Sequence, residues 1–312
     1  MALRTDLALE AHEIAVSAEK GVPGEAGKLE GVESENYQKG GVTVTRVKVL
    51  DARGEQKIGK PVGTYVTVEA PGLGQEGDEI FDGAMEAVAD ELRAMLAPCG
   101  DGTVLVAGLG NAGMTPDALG PRCVRSLLVT RHIAGELKKL PGLEGLRPVA
   151  AIAPGVLGQT GVEVGEIIRA IAAKISPAAV IVVDALASRR AARLGNTVQL
   201  ADPGIIPGSG VGNSRSAINR ETLGVPVISM GVPTVVDAAT FALDVLENAG
   251  VPTDGEEEEK VRASVEKGGI TMFVTPRMVD LTVEHAARLT GFAINRALHP
   301  GVSVEDMARL VS

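Results

Sequence analysis

From residue 103 onward, short apolar runs alternate with segments whose apolar residues recur at helical spacing. A short continuous apolar run is typical of a buried strand, whereas recurrence every three or four residues is typical of a helix with one buried face. This alternation predicts a mostly parallel sheet with helices on both faces. The predicted strands cover 103–108, 148–153, 179–184 and 226–230, and the predicted helices cover about 121–139, 161–175, 234–248 and 277–298.

The first hundred residues follow a different pattern. β-branched runs at 41–50 and 63–69 predict a β-hairpin over 41–70 that elaborates the sheet. A run of glutamates at 256–259 predicts an acidic surface loop over 252–268, because like charges rarely pack together. The other predicted elements are a short amphipathic helix or extended arm at 4–20, a loop at 21–40 and a helix at 77–97. We expect one α/β domain over residues 1–312.

Composition narrows the class of protein. Aromatic residues make up 2% of the chain and Trp is absent, so the core must be built from Val, Leu, Ile and Ala. A net charge of −10 argues against direct binding of nucleic acid, which needs a basic surface. Cys99 and Cys123 form neither a disulfide framework nor a metal-ligand pattern, which favours a reducing cytoplasm. We find no signal peptide and no apolar run long enough for a bilayer, so we expect no membrane association.

Two aspartates, Asp117 and Asp184, follow or end predicted buried strands. In an open α/β sheet, ligands bind outside the carboxyl ends of the strands. Two carboxylates at that edge could share a crevice and divide acid and base work between them. We therefore predict that Asp117 and Asp184 are catalytic.

Each aspartate also has a structural interpretation. The Thr-Pro pair before Asp117 is typical of a helix start, so Asp117 could be a capping residue, and the helix dipole would favour its ionised form. Asp184 could instead bind backbone amides of the next turn or pair with Arg189 or Arg190. Because Asp184 ends a buried run, we expect partial desolvation, which raises the pKa of a carboxyl group.

The turn at 108–113 matches the G-x-G-x-x-G pattern of a dinucleotide-binding loop. That function needs a helix that opens directly from the glycines and an acid at the end of the next strand. Here a Pro-containing stretch follows the turn, and the next strand ends without a carboxylate. A non-catalytic or nucleotide-binding α/β module that uses this turn is the alternative function, although this context does not favour it.

The stretch at 201–214 is rich in glycine and could bring backbone N–H groups close to a substrate or an oxyanion. Its alternative interpretation is a long ordered surface loop. Thr234 is a candidate cap for the helix that follows the last strand. The histidines show no metal-ligand spacing and no third ligand joins the two aspartates, so we expect no metal and no cofactor. The candidate substrate-binding residues are Asn111, Gly208, Ser209, Gly210, Gly212, Asn213 and Asp237.

Eight stretches, in order over nearly the whole chain, carry a resemblance to one family. They are RTDLALEA (4–11), TPDALGP (115–121), VTRH (129–132), AIAPGVLGQT (151–160), DALASR (184–189), GIIPGSGVGN (204–213), GVPTVVD (231–237) and ALHPG (297–301). The chain resembles the germination protease of spore-forming bacteria, the endopeptidase that degrades small acid-soluble spore proteins.

The resemblance implies an atypical acid protease with a fold similar to that of the hydrogenase-maturation endopeptidases. It places the two family aspartates on Asp117 and Asp184. It also implies a homotetramer in the spore core or forespore, made as a zymogen that removes its own propeptide. Because the hydrogenase-maturation proteases bind a metal near their carboxylates, a metal-dependent variant is an alternative. Only three residues precede Arg4 here, which predicts a chain that nearly lacks the propeptide, either through truncation or because this member is held inactive by other means.

Together with the resemblance, Asp117 and Asp184 predict hydrolysis of a peptide bond without a covalent intermediate. One aspartate, as a carboxylate, takes a proton from water, and the other, protonated, donates to the scissile carbonyl or the leaving amine. Burial favours Asp184 as the proton holder, and the helix dipole favours Asp117 as the base. Two nearby acids titrate as a pair, so we expect a bell-shaped pH profile. A degenerate family member that binds spore proteins without cutting them is a further alternative.

Overall fold

The computed structural model describes residues 5–19, 29–73, 78–133, 145–212, 215–251, 255–265 and 271–310. Its helices are α1 (Ala8–Glu19), α2 (Ala52–Ile58), α3 (Asp78–Leu96), α4 (Leu119–Arg125), α5 (Leu157–Thr160), α6 (Val164–Ile175), α7 (Arg220–Leu223), α8 (Ala238–Asn248), α9 (Glu256–Val265), α10 (Val279–Leu298) and α11 (Val304–Leu310). Its strands are β1 (Val32–Lys39), β2 (Val42–Val49), β3 (Gly63–Glu69), β4 (Val104–Gly108), β5 (Val149–Ile152), β6 (Ala179–Ser188), β7 (Thr197–Ala201), β8 (Val227–Asp237) and β9 (Phe273–Val274).

The described strands form one sheet in the order β1-β2-β3-β7-β8-β6-β4-β5, and β9 pairs with β8. Strands β8, β6, β4 and β5 run parallel to one another. The other described pairs are antiparallel: β1–β2, β2–β3, β3–β7, β7–β8 and β8–β9. The predicted α/β class is confirmed, but three of the eight described strand pairs are parallel, and they lie in one half of the sheet.

Helices cover both faces of the sheet, which explains why its central strands are almost fully buried. On one face α3, α4 and α10 bury residues such as Leu92 and Leu289 against Val106 and Ile181. On the other face α6 packs on β4 and β6, and α1 packs on the antiparallel half. A strand buried on both faces loses the alternation of apolar and polar residues. All residues of β4 are accordingly buried.

The N-terminal region differs from its prediction. Strand β1 lies where a loop at 21–40 was expected, and it forms a tight hairpin with β2 through Gly40 and Gly41, which have positive φ angles of 57° and 80°. Its side chains are mostly exposed, because it is the edge strand, so the sequence lacks an apolar alternation there. Strands β2 and β3 pair in antiparallel fashion as predicted, but α2 rather than a short turn connects them.

Three further expectations need correction. Helix α4 ends at Arg125, well before the predicted end at 139, and residues 134–144 lie outside the described part of the chain. The expected acidic loop over 252–268 contains α9, whose first turn holds the four glutamates, where the positive end of the helix dipole favours acids. Strand β8 continues to Asp237, so Thr234 lies within the strand and does not cap α8.

In the described residues, no helix is long and apolar enough to cross a membrane.

Candidate active site

The structure brings Asp117 and Asp184 to one cleft at the carboxyl edge of the parallel strands. Asp184 lies in β6 directly after Val183, which pairs with Gly108 at the end of β4. After β4 the chain turns and returns in a single 3-10 turn, Thr115–Asp117. Both carboxylates line a cleft with a volume of about 560 Å³. The predicted juxtaposition at the sheet edge is therefore present.

Close backbone contacts hold the turn that carries Asp117 against β6. The N–H group of Leu109 donates to the carbonyl of Val183 at 2.8 Å, so β4 and β6 stay paired up to the site. Gly110 has a positive φ of 111°, and a Cβ there would lie 2.0 Å from the carbonyl oxygen of Asp117. Thr234 Oγ1 donates to the carbonyl of Pro116 at 2.7 Å, which ties the turn to β8. Glycine at 110 is thus required sterically for the return of the chain.

Burial dominates the electrostatics of Asp184. This side chain is 7% exposed. Burial raises the pKa of Asp184 well above its ordinary range, and the negative charges of Asp117 and Asp6 raise it further. The N–H group of Ala185 donates to its Oδ1 at 2.9 Å and offsets part of this effect. Asp184 is therefore the residue of the pair that keeps its proton more readily.

Asp117 is only half-buried, and burial raises the pKa of its carboxyl group. The N–H group of Asn111 donates to its Oδ2 at 2.8 Å and acts in the opposite direction. Asp117 lies in a 3-10 turn, directly before Ala118, the residue that precedes the first turn of α4. The hydrogen bond from the Asn111 backbone favours the carboxylate form of Asp117.

A third carboxylate, Asp6, lies beside the pair and was missed from the sequence. Its Oδ2 accepts from the N–H group of Ala187 at 2.9 Å and its Oδ1 accepts from the hydroxyl of Ser209 at 3.0 Å. The N–H group of Asp6 also donates to the carbonyl of Ala187 at 2.9 Å, so the N-terminal segment lies along the end of β6. Asp6 belongs to the family-like stretch RTDLALEA (4–11), but nothing local gives it a place at the site, because its partners are nearly two hundred residues away in the sequence.

Comparison with known proteins shows the family of this chain. The family model described as germination protease matches residues 8–250. The chain belongs to the germination protease family. A germination protease of Caldanaerobacter subterraneus subsp. tengcongensis is 42% identical over 100% of this chain and 98% of its own length. A germination protease of Clostridium tetani is 40% identical over 98% of both chains.

Membership of the germination protease family confirms the resemblance and supports a peptidase with a role in spore germination. Among solved structures, a NiFe hydrogenase maturation protease HycI from Thermococcus kodakarensis KOD1 covers 65% of this chain and 98% of its own, with 15% identity and a TM-score of 0.34. That structural likeness is too low to carry any argument about the site.

In this family member, the candidate substrate-binding residues fall into separate places. Asn111 and Gly208 line the cleft with the two aspartates. Ser209 and Gly210 line a neighbouring cavity of about 440 Å³ that also contains Asp6 and Lys60. A Cβ at Gly210 would lie 2.1 Å from a carboxylate oxygen of Asp6, so glycine is required for this contact. The glycine-rich loop therefore reaches both the cleft and the N-terminal segment.

The remaining candidates lie elsewhere. Gly212 is exposed at the end of a 3-10 turn, and Asn213 lies outside the described residues. Asp237 is 2% exposed and caps α8, where its Oδ1 accepts from the N–H and hydroxyl groups of Thr240 at 3.0 Å. Asp237 does not line the cleft, and its capping bonds give it a structural role.

The cleft also contains charged residues that the sequence did not single out. Arg215 and Glu163 line it and form an ion pair at 3.7 Å. Their signal in the sequence is weak, because neither belongs to a patterned motif. Among the described residues, no group of three or more His, Cys, Asp or Glu side chains could hold a metal ion.

The glycine turn at 108–113 does not have the geometry of a nucleotide loop. No α-helix opens from its glycines. Two of its N–H groups are used within the turn: that of Asn111 donates to Asp117, and that of Gly113 donates to Asn111 Oδ1 at 2.9 Å. A phosphate-binding loop needs free N–H groups at a helix N-terminus. The alternative of a nucleotide-binding module therefore loses the observation that motivated it.

Proposed function

We propose that this chain is an endopeptidase that cleaves small acid-soluble spore proteins during germination, with Asp117 and Asp184 as its acid–base pair. The observation that carries the proposal is the pairing of two carboxylates in one cleft, where the pKa of Asp184 is raised well above its ordinary range. A buried acid that retains its proton beside a more exposed acid is the arrangement that acid–base hydrolysis needs. Family membership supports the peptidase activity.

The proposed reaction has two steps. In the first, a water oxygen bonds to the scissile carbonyl carbon, a proton of that water passes to the Asp117 carboxylate, and Asp184 gives its proton to the carbonyl oxygen. In the second, the C–N bond breaks as Asp117 passes its proton to the leaving amine, and Asp184 takes a proton from the hydroxyl group. The pair returns to its starting state, and no covalent intermediate forms.

We further propose that assembly, compartment and control follow the family pattern: a homotetramer, in the spore core or forespore, made as a zymogen. Relatedness over the full length of the chain supports this transfer. Light scattering after size-exclusion chromatography tests the tetramer, and a stable monomer at micromolar concentration would contradict it.

The decisive experiment is a cleavage assay with products weighed by mass spectrometry. The purified chain is incubated with a small acid-soluble spore protein, beside the variants Asp117→Asn and Asp184→Asn. Asp101→Asn is the matched control, since Asp101 is exposed and lies outside the cleft. Circular dichroism establishes that each variant is folded.

We expect discrete cuts by the native chain and by the control, and loss of activity in both dyad variants. Because burial raises the pKa of both aspartates, we also expect a bell-shaped pH profile centred above the ordinary range of carboxyl groups. A folded native chain that leaves the substrate intact, or a rate that is flat from acidic to neutral pH, would contradict the proposal.

A further inference from the structure

The side chain of Asn111 is held in one orientation beside Asp117. Its Oδ1 accepts from the N–H group of Gly113 at 2.9 Å and from Nε2 of Gln159 at 2.8 Å. The first donor comes from the same turn, and the second comes from α5, whose residues Leu157 and Gly158 line the cleft. A backbone N–H group can only donate, so the oxygen of the amide must face Gly113. The orientation of the Asn111 amide is therefore fixed by chemistry.

The backbone of Asn111 is equally constrained. Its N–H group donates to Asp117 Oδ2 at 2.8 Å, and its carbonyl accepts from the N–H group of Met114 at 3.0 Å. Only the Nδ2 amino group of Asn111 has no hydrogen-bond partner among the residues that the structure describes. Asn111 lines the cleft together with both aspartates. An oriented, unused donor thus belongs to the residue that directly contacts one member of the pair.

We propose that Asn111 is a further catalytic residue, whose Nδ2 group donates a hydrogen bond to the scissile carbonyl oxygen as negative charge develops on it. The inference rests on the proposed function. When the water oxygen bonds to the carbonyl carbon, the electron pair of the C=O bond moves to the oxygen before the proton of Asp184 arrives. A preorganised donor at that point stabilises the transition state more than the substrate, because the carbonyl of the substrate carries less charge.

Gln159 then acts as a positioning residue. It does not reach the reacting atoms in this scheme, but its Nε2 group holds the Asn111 oxygen and thereby turns the amino group away from α5. The Gln159 side chain is exposed, so water can take over part of its role. Its loss should have a smaller effect than loss of the Asn111 amide.

Steady-state kinetics on a small acid-soluble spore protein tests the proposal with two substitutions at one position. Asn111→Ala removes the whole amide. Asn111→Asp keeps an oxygen for both donors, and hence the local structure, but has no N–H group to donate. Gln159→Ala tests positioning, and Asn248→Ala, at an exposed site on α8, is the matched control.

We expect kcat to fall by about 10²–10³ in both Asn111 variants, as for loss of a single oxyanion donor, while KM stays within about threefold of the native value. The pH profile of Asn111→Ala should keep its shape, since the dyad is intact. We expect a kcat loss of about tenfold for Gln159→Ala, a smaller effect in keeping with one indirect contact.

Three outcomes separate this inference from the proposed function. If the native chain cleaves its substrate and both folded Asn111 variants keep kcat within about threefold, the oxyanion role is wrong and the aspartate mechanism stands. If the Asn111 variants raise KM without lowering kcat, Asn111 binds substrate but is not catalytic, which also overturns the inference. If the native chain does not cleave, the proposed function fails first.

Discussion

Arg193 is the residue whose replacement should most weaken the fold near the candidate site. It lies after β6, is 10% exposed, and forms ion pairs with Glu10 at 3.1 Å, Glu13 at 2.7 Å and Glu69 at 3.1 Å. Glu10 is fully buried and also accepts from the N–H groups of the arginines at 189 and 190. This cluster joins α1 to the chain that continues from Asp184. Arg193→Met keeps most of the side-chain volume but removes the charge.

The expected loss in the free energy of unfolding follows from how exposed the three partners of Arg193 are. Glu13 and Glu69 are 31% and 29% exposed, so water can solvate them after the substitution. Glu10 is 0% exposed and has no access to water, so its charge would be left with only neutral donors. Breaking a buried ion pair costs about 3–5 kcal/mol. We expect a loss near the lower end, about 3 kcal/mol, because Glu10 keeps its backbone hydrogen bonds.

Urea unfolding followed by far-ultraviolet circular dichroism measures this loss as a change in the free energy of unfolding. The control is Arg190→Met, because Arg190 is 44% exposed and its contact with Glu13 is 3.9 Å long. Exposed pairs of this kind contribute about 0–1 kcal/mol. A double variant with Glu10→Gln should recover part of the loss. If Arg193→Met costs no more than Arg190→Met, the reasoning about the buried charge is refuted.

Three more predictions concern the site and the core. Burial raises the pKa of Asp184 in the folded chain, so the native chain loses stability as the pH rises through that pKa. Asp184→Asn should therefore raise the melting temperature near neutral pH and have little effect at acidic pH. Equal shifts of the melting temperature at both pH values would contradict this. Gly120→Ala should lower the free energy of unfolding by about 1–3 kcal/mol, since its Cβ would lie 2.3 Å from a backbone oxygen. Gly158→Ala, which has open space around it, should leave the free energy of unfolding unchanged in the same urea titration. Burial raises the pKa of Cys123 to about 12, so a thiol reagent should modify the half-buried Cys99 first and Cys123 only on unfolding, as peptide mass spectrometry would show.

The local pattern of the sequence was enough to predict the core strands. Strand β4 and residues 179–183 of β6 are continuous apolar runs, and burial on both faces imposes that pattern directly. Asp117 and Asp184 could be singled out because a polar residue just beyond such a run lies at the carboxyl edge of the sheet. The edge strand β1 could not be found in this way, since it is mostly exposed and is stabilised by its pairing with β2.

By itself the sequence therefore determined the α/β class, the family and the placement of two aspartates at one cleft, because apolar periodicity and motif order are local properties of a chain. Only the tertiary structure decided what surrounds them. Asp6 reaches Ala187 across 181 positions of sequence, and Gln159 reaches Asn111 across 48. Hydrogen bonds between such distant residues, and the desolvation that raises the pKa of Asp117, depend on which segments pack together, and no local pattern encodes that packing.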